Sequence, residues 1–194
     1  ILGLVVASTL PWCRPRALLA AWAAGLAAAL GLQLGGLLGL PYVPSTQWGG
    51  LPLTLFIFVG TVAGGMPAAV LLALGRQSRL PVIRSLSILY IEVIRGIPLV
   101  NLLFAAALLF PLFMPAGVNF DKLLRAQAGM IMFFAAYAAE SVRGGLQAIP
   151  RGQYEAADSL GLSAWQRTRR IVLPQALRIV IPPLVNDVIR AVKN

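Results

Sequence analysis

Glu92, Asp121, Glu140, Glu155, Asp158 and Asp187 are the only acid groups of this chain, and it has no histidine. General acid–base hydrolysis needs two titratable groups within one hydrogen-bonded constellation, and no two of these six make a convincing pair by spacing. The absence of histidine rules out a His-based triad and a Cys/His metal site, and the single cysteine, Cys13, rules out an intrachain disulfide. A Ser–Lys hydrolase would have to use Lys122 or Lys193, and neither has a serine at a suggestive distance. No catalytic residue and no metal ligand is assigned. The phosphate-cradling pattern G-x-x-x-x-G-K-[ST] is missing as well, so the chain supplies no ATP chemistry and is expected to bind no cofactor.

What remains is binding chemistry, which depends on where polar side chains fall among apolar runs. Hydrophobic residues make up 59% of the 194 residues and charged ones 11%, with a mean hydropathy of +0.83. So much apolar surface cannot hide in a water-soluble core, and a multi-span membrane protein is expected. The net charge of +10 does not point to nucleic acid, because the basic residues sit in the gaps between apolar runs, as in cytoplasmic loops.

Residues 1–12 read as the tail of a span, and residues 17–40 as a full one. Residues 41–50, with Pro41, Pro44 and Trp48, form a loop, and residues 51–74 form the next span. From 80 to 95 the apolar run is punctuated by Arg84, Ser85, Ser87, Tyr90, Glu92 and Arg95, as in an interfacial helix or the wet first turns of a tilted span. Gly96-Ile97-Pro98 breaks it, and Pro98 opens a span running to Phe113. Residues 123–149 cross back, a basic loop fills 150–170, and Ile171 onward re-enters the membrane. Placing Arg14, Arg16, Arg76, Arg79, Arg84 and the arginines from 143 to 170 inside requires no forced exception. The loops 41–50 and 115–122 then face outward with only Asp121 and Lys122 as charges. The first residue is not Met and the last lie within a helical pattern, so both ends read as internal to a longer chain.

The basic loop carries the strongest motif. Glu155-Ala156-Ala157, Gly161 after three residues, and Ile171-x-Leu173-Pro174 after nine more resemble the EAA loop of the membrane subunits of ATP-binding-cassette importers. Local physics points the same way. A short helix over 153–160 ends at Gly161, which tolerates a left-handed turn, and Ser163 with Gln166 fits a capping box that starts a second helix. A merely well-capped cytoplasmic hairpin would satisfy the same helix signals. Further matches are Trp48-Gly49-Gly50-Leu51, Arg95-Gly96-x-Pro98, Ala139-Glu140-x-x-Arg143-Gly144-Gly145, Pro150-x-Gly152-Gln153-Tyr154, Leu173-Pro174-Gln175-Ala176, Pro182-Pro183-x-x-Asn186 and Lys193. They resemble the polar amino-acid branch of these permeases, and within it the general L-amino-acid permease subunits, over about residues 45–194.

The resemblance implies an all-α, polytopic transmembrane bundle of the type I importer kind with a cytoplasmic helix-turn-helix coupling loop. It divides the chain into an N-terminal membrane region at 1–44 and a permease core at 45–194, beyond which a final span is expected. It implies a pore-forming subunit in a bacterial inner membrane, importing polar L-amino acids. A cytoplasmic ATPase dimer carrying ATP and Mg, a second permease subunit (a copy or a relative) and an external binding protein would be its partners. Glu155, Ala156, Ala157, Gly161, Ile171, Leu173 and Pro174 would couple it to the ATPase. A secondary transporter without an ATPase is the alternative reading, and it leaves the loop unexplained.

Charges and amides within spans need a reason. Asn186 and Asp187 lie twelve and thirteen residues past Pro174, about 18 Å into a helix and so near the bilayer midplane. Pro182-Pro183 is expected to loosen that helix one turn earlier, so this is the candidate cargo pathway, with Asn101 a further member; a buried pair bonded to a neighbouring helix is the alternative. Glu92 with Arg95, and Glu140 with Arg143, are spaced to pair within their helices, as structural ion pairs or as a gate. Arg167, Arg169 and Arg170 read as positive-inside anchoring. The stretch from Ala135 to Ala139 reads as a helix-packing face rather than a substrate site.

Overall fold

The computed structural model describes residues 41–44, 47–115 and 120–193, and five isolated positions before residue 40. The 1–44 membrane region, its 17–40 span and Cys13 lie largely or wholly outside the described residues, as do residues 116–119 of the 115–122 loop. All regular structure among the described residues is helical, and contacts divide the chain into two units, Ile1–Ile57 and Phe58–Asn194.

Helix α1, Gly50–Arg76, has no charged residue until its last position and is about 40 Å long at 1.5 Å per residue. It contains the one stretch, Leu53–Arg76, that is by itself long and apolar enough to cross a membrane among the described residues. In the first unit, Trp48 donates its indole N–H to the Val43 carbonyl at 3.1 Å and meets the Phe56 ring edge-on at 5.9 Å. That fixes an aromatic at the start of the span, where an amphipathic ring is favoured.

Helix α2, Pro81–Gly96, starts on a proline that needs no N–H partner in the first turn. It ends at Gly96-Ile97-Pro98, and α3, Leu99–Phe104, leaves at 106° to it. Taken with the turns that follow as far as Phe113, the two are together long and apolar enough for a broken span or a re-entrant segment. Beyond Phe104 the coil widens to a π-turn over Ala105–Leu109 and tightens to a 3₁₀ turn over Phe110–Phe113. Pro111 explains the change, because it has no N–H for the carbonyl four residues back, Ala107, and its ring would clash there. That carbonyl instead accepts 2.6 Å from the Arg125 guanidinium.

Helix α4, Lys122–Gln147, is N-capped by Asp121, whose carboxylate accepts from the Leu123 N–H at 3.1 Å. It runs parallel to α1: Gln127 donates to Thr61 at 3.0 Å, Ile131 lies over Gly64, and Arg76 reaches Glu140 at 3.3 Å. Ala135, Ala136, Ala138, Ala139, Val142 and Gly145 form its buried face, so the alanine stretch is a packing face. The core gathers Ile91 of α2, Val142 of α4 and Val172, all fully buried.

Helix α5, Arg151–Ser159, and α6, Ala164–Arg167, follow. A π-turn at Thr168–Val172 then joins α6 to α7, Leu173–Lys193, without a break. The helix-turn-helix expected within 150–170 is present, and from Ala164 the chain stays helical into α7. As at Pro111, the π-turn ends two residues before a proline, here Pro174, and gives its ring room.

Pro182 and Pro183 lie inside α7, both exposed, and the helix runs on past them. One sequence expectation is corrected. Glu92 and Arg95 do not pair with each other: Glu92 binds Arg76 at 3.1 Å, and Arg95 approaches Glu140 at 4.0 Å. Facing helices outcompete the neighbour on the same helix. Glu140 and Arg143 do pair, at 2.6 Å.

At the α4–α7 crossing, a Cβ at Gly145 would overlap Val180 and sit 2.8 Å from the Ala176 carbonyl, whereas one at Gly144 meets nothing within 4 Å. Gly145→Val should lower stability by about 1–3 kcal/mol, seen as a reduced Tm in detergent. Gly144→Ala should leave Tm within error, and equal losses in both variants would refute the close crossing.

Candidate functional site: the cytoplasmic hairpin

The motif residues Glu155 to Pro174 fold into one compact hairpin, and each half has a local cause. At the end of α5 the Leu160 N–H donates to the Ala156 carbonyl at 3.2 Å, Gly161 to Asp158 at 2.9 Å and Leu162 to Ala157 at 3.2 Å. Closing the helix end this way needs a residue in the left-handed region, and Gly161 supplies it with φ +71°. Ser163 then begins α6 with a complete capping box: its hydroxyl accepts from the Gln166 N–H at 3.3 Å, and the Gln166 side chain accepts from the Ser163 N–H at 3.0 Å.

Side chains lock the two helices together. Both Asp158 oxygens accept from the Arg167 Nη1, at 2.5 and 2.6 Å, and the same guanidinium lies 5.5 Å over the Tyr154 ring. Two further bonds tie the hairpin to the long helices, Tyr154 Oη to the Leu146 carbonyl of α4 at 3.4 Å and Gln175 of α7 to Gln153 at 3.1 Å. The hairpin is thus bonded to both long helices and is not a slack loop.

The motif residues divide by exposure. Ala157 is 1% exposed and Val172 is buried, with Ile171 and Leu173 half-buried. These side chains anchor the hairpin and do not form its outer surface, although Ala157 stands beside Ala156 in sequence. Glu155, Ala156, Gly161 and Pro174 are exposed, and near them Leu160 and Trp165 are 77% and 64% exposed. The outward surface thus combines a carboxylate, small residues and two large apolar side chains, a composition suited to a protein groove.

The candidate cargo residues lie on two helices, α3 and α7. Asn101 is exposed in the first turn of α3. Asn186 and Asp187 lie on α7, and their side chains fall outside the described residues. Among the described residues no cluster of three or more His, Cys, Asp or Glu side chains is placed to hold a metal. Sequence reasoning missed the Asp158–Arg167 clasp, the buried Thr61–Gln127 pair and the Arg125 bond to Ala107. Opposite charges flanking the Gly161 turn were the available signal for the first. Polar residues inside apolar runs were the signal for the other two.

The family described as binding-protein-dependent transport system inner membrane component matches residues 65–194. The chain is 52% identical over 163 residues to the inner membrane amino-acid ABC transporter permease protein YhdY of Escherichia coli, covering 84% of this chain and 44% of that protein. It is also 52% identical over 157 residues to the glutamate/glutamine/aspartate/asparagine transport system permease protein BztC of Rhodobacter capsulatus, covering 81% and 36% respectively. The chain therefore spans less than half the length of these two relatives. A crystal structure of an amino acid ABC transporter with histidines superposes with a TM-score of 0.63 at 33% identity, over 74% of this chain and 66% of that one. With the helical bundle and the hairpin in place, the chain belongs to the family of inner membrane components of binding-protein-dependent transport systems.

Proposed function

We propose that this chain is the pore-forming permease subunit of an ATP-driven importer for polar L-amino acids. A cytoplasmic ATPase dimer, carrying ATP and Mg, drives it through the 150–174 hairpin; a second permease subunit completes the pore, and an external binding protein delivers cargo. The observation that carries this reading is the hairpin itself: clasped internally by Asp158 and Arg167, bonded to α4 and α7, and presenting Glu155, Leu160 and Trp165 outward. A rigid projection wired into two long helices serves as a lever. A secondary transporter has no use for one, and nothing in that reading accounts for this geometry. The relatives' names, which specify amino acids, support the cargo class. Glu155, Ala156, Gly161 and Pro174 would meet the ATPase; Ala157, Ile171 and Leu173 would hold the hairpin in place.

Gly161→Val forces a branched side chain into the left-handed region at a cost of about 1–2 kcal/mol. Purified complex should insert and assemble, yet lose most of the ATPase stimulation by cargo-loaded binding protein. Asp158→Asn should give a milder version of the same defect. Normal coupling in Gly161→Val removes the lever from the mechanism.

The arginine asymmetry sets the topology. On a Cys13→Ser background, a membrane-impermeant thiol reagent added to intact cells should label Asn119→Cys and leave Gln166→Cys unlabelled. Labelling of Gln166→Cys from outside would invert the assignment.

Asn186, Asp187 and Asn101 remain the proposed cargo pathway. A carboxylate at 187 suits an ammonium or a cationic side chain stripped of water, so Asp187→Asn should shift selectivity against cationic amino acids with little change in Tm. Uptake competition with a panel of labelled amino acids reads this, and an unchanged profile would make Asp187 a packing residue.

A further inference from the structure

The charges where α1, α2 and α4 meet do not balance, and the hairpin does not use them. Arg76, Arg95 and Arg143 converge on Glu140, and Glu92 is the only other carboxylate in the group. The contacts are graded. Arg143 Nε donates to both Glu140 oxygens at 2.6 and 3.0 Å, and Arg76 reaches Glu140 at 3.3 Å and Glu92 at 3.1 Å. Arg95 comes only to 4.0 Å, beyond hydrogen-bond length.

The unmatched positive charge therefore rests on Arg95. Its side chain is 36% exposed and lies 5.4 Å over the Tyr137 ring, while the Tyr137 hydroxyl donates to the Arg95 carbonyl at 3.4 Å. A guanidinium held by its face keeps its edge for a planar anion, which it grips with two parallel bonds. Glu92, 56% exposed, commits Oε1 to Arg76. It is three residues from Arg95 on α2, which sets their Cβ atoms about 5–6 Å apart, and among the described residues the two form no ion pair with each other.

The location restricts what this polar face can meet. Arg76 is the last residue of α1, and Glu140 lies seven residues before the end of α4, about 10 Å. That is the inner mouth of the membrane-crossing helices. An exposed cation and an exposed carboxylate there are costly against acyl chains and belong beside water or a polar ligand.

We infer that Arg95 and Glu92 form a station at the inner mouth for the α-carboxylate and the α-ammonium of an amino acid. It grips the part common to all amino acids and leaves the side chain unread. Arg95 takes the carboxylate, Glu92 takes the ammonium, and Glu140 holds Arg95 loosely enough for the cargo to displace it. Partial exposure keeps such a site weak, as release into the cytoplasm requires. The inference rests on the amino-acid importer reading above.

The test measures equilibrium binding of labelled L-glutamine to the assembled, nucleotide-free complex without binding protein, in nanodiscs of zwitterionic lipid. L-glutamine should bind, its methyl ester about tenfold more weakly, and Arg95→Gln should weaken L-glutamine by a similar factor. Arg95→Lys should fall between, since it keeps the charge and loses the fork. Glu92→Gln should reduce affinity for L-glutamine while leaving the acid-to-ester ratio in place. The ester comparison needs no variant, so it stands even where a substitution harms folding. Equal affinity for acid and ester, absence of binding, or unchanged binding by Arg95→Gln would overturn the station. Loss of L-glutamine binding when anionic phosphatidylglycerol is added would also overturn it and assign the cluster to lipid headgroups. The lever reading fails by a different measurement, the stimulation of ATPase activity by cargo-loaded binding protein in wild type and Gly161→Val, so the two failures are distinguishable.

Discussion

Close approach of helices to α4 is the constraint on which the 58–194 unit depends. Apolar side chains gain little by leaving lipid for one another, so helices in a membrane associate through dispersion contacts at short range and through polar bonds. Helix α4 meets that requirement with Ala135, Ala136, Ala138, Ala139 and Gly145 on its buried face, and α1 answers with Gly60, Gly64 and Gly65 beneath Gln127, Ile131 and Phe134. Where the backbones are near, long polar side chains bridge them: Thr61 with Gln127 deep in the pair and Arg76 with Glu140 at its inner end. Remove the small residues and these bonds lose their geometry as well.

The prolines explain much of the irregular backbone. Pro111 and Pro174 each follow a π-turn by two residues, at Ala105–Leu109 and Thr168–Val172. A π-turn widens the coil where a ring would strike the carbonyl of the preceding turn. The Ala107 carbonyl, which Pro111 has no N–H to bond, accepts from Arg125. In the other case, the π-turn lets α6 run into α7, so that the hairpin is one end of a long helix rather than a loop tethered to it. Pro182 and Pro183 lie within α7, and the helix runs on past both.

Rigidity and looseness are distributed unequally across the charged groups. The Asp158–Arg167 clasp is short, two-pronged and stacked on Tyr154, which suits a part that must move as a unit. The cluster around Glu140 is tight at Arg143 and slack at Arg95. Buried or half-buried charges with more cations than carboxylates cannot all be satisfied at once, and such a group retains capacity for a further anion.

The sequence by itself determined the apolar span that ends at Arg76 and the form of the hairpin. Span length follows from the transfer of a whole segment out of water. The turn at Gly161 and the cap at Ser163 are settled within six residues, so local spacing contains the answer. Only the tertiary structure decided that Glu92 pairs with Arg76 and not with Arg95, that Ala157 is buried while Ala156 is exposed, and that Thr61 bonds to Gln127. Each of these outcomes is a competition between a neighbour on the same helix and a group brought alongside by packing. Periodicity names the candidates on one helix, and the winner depends on which other helix comes close enough, which no single segment encodes.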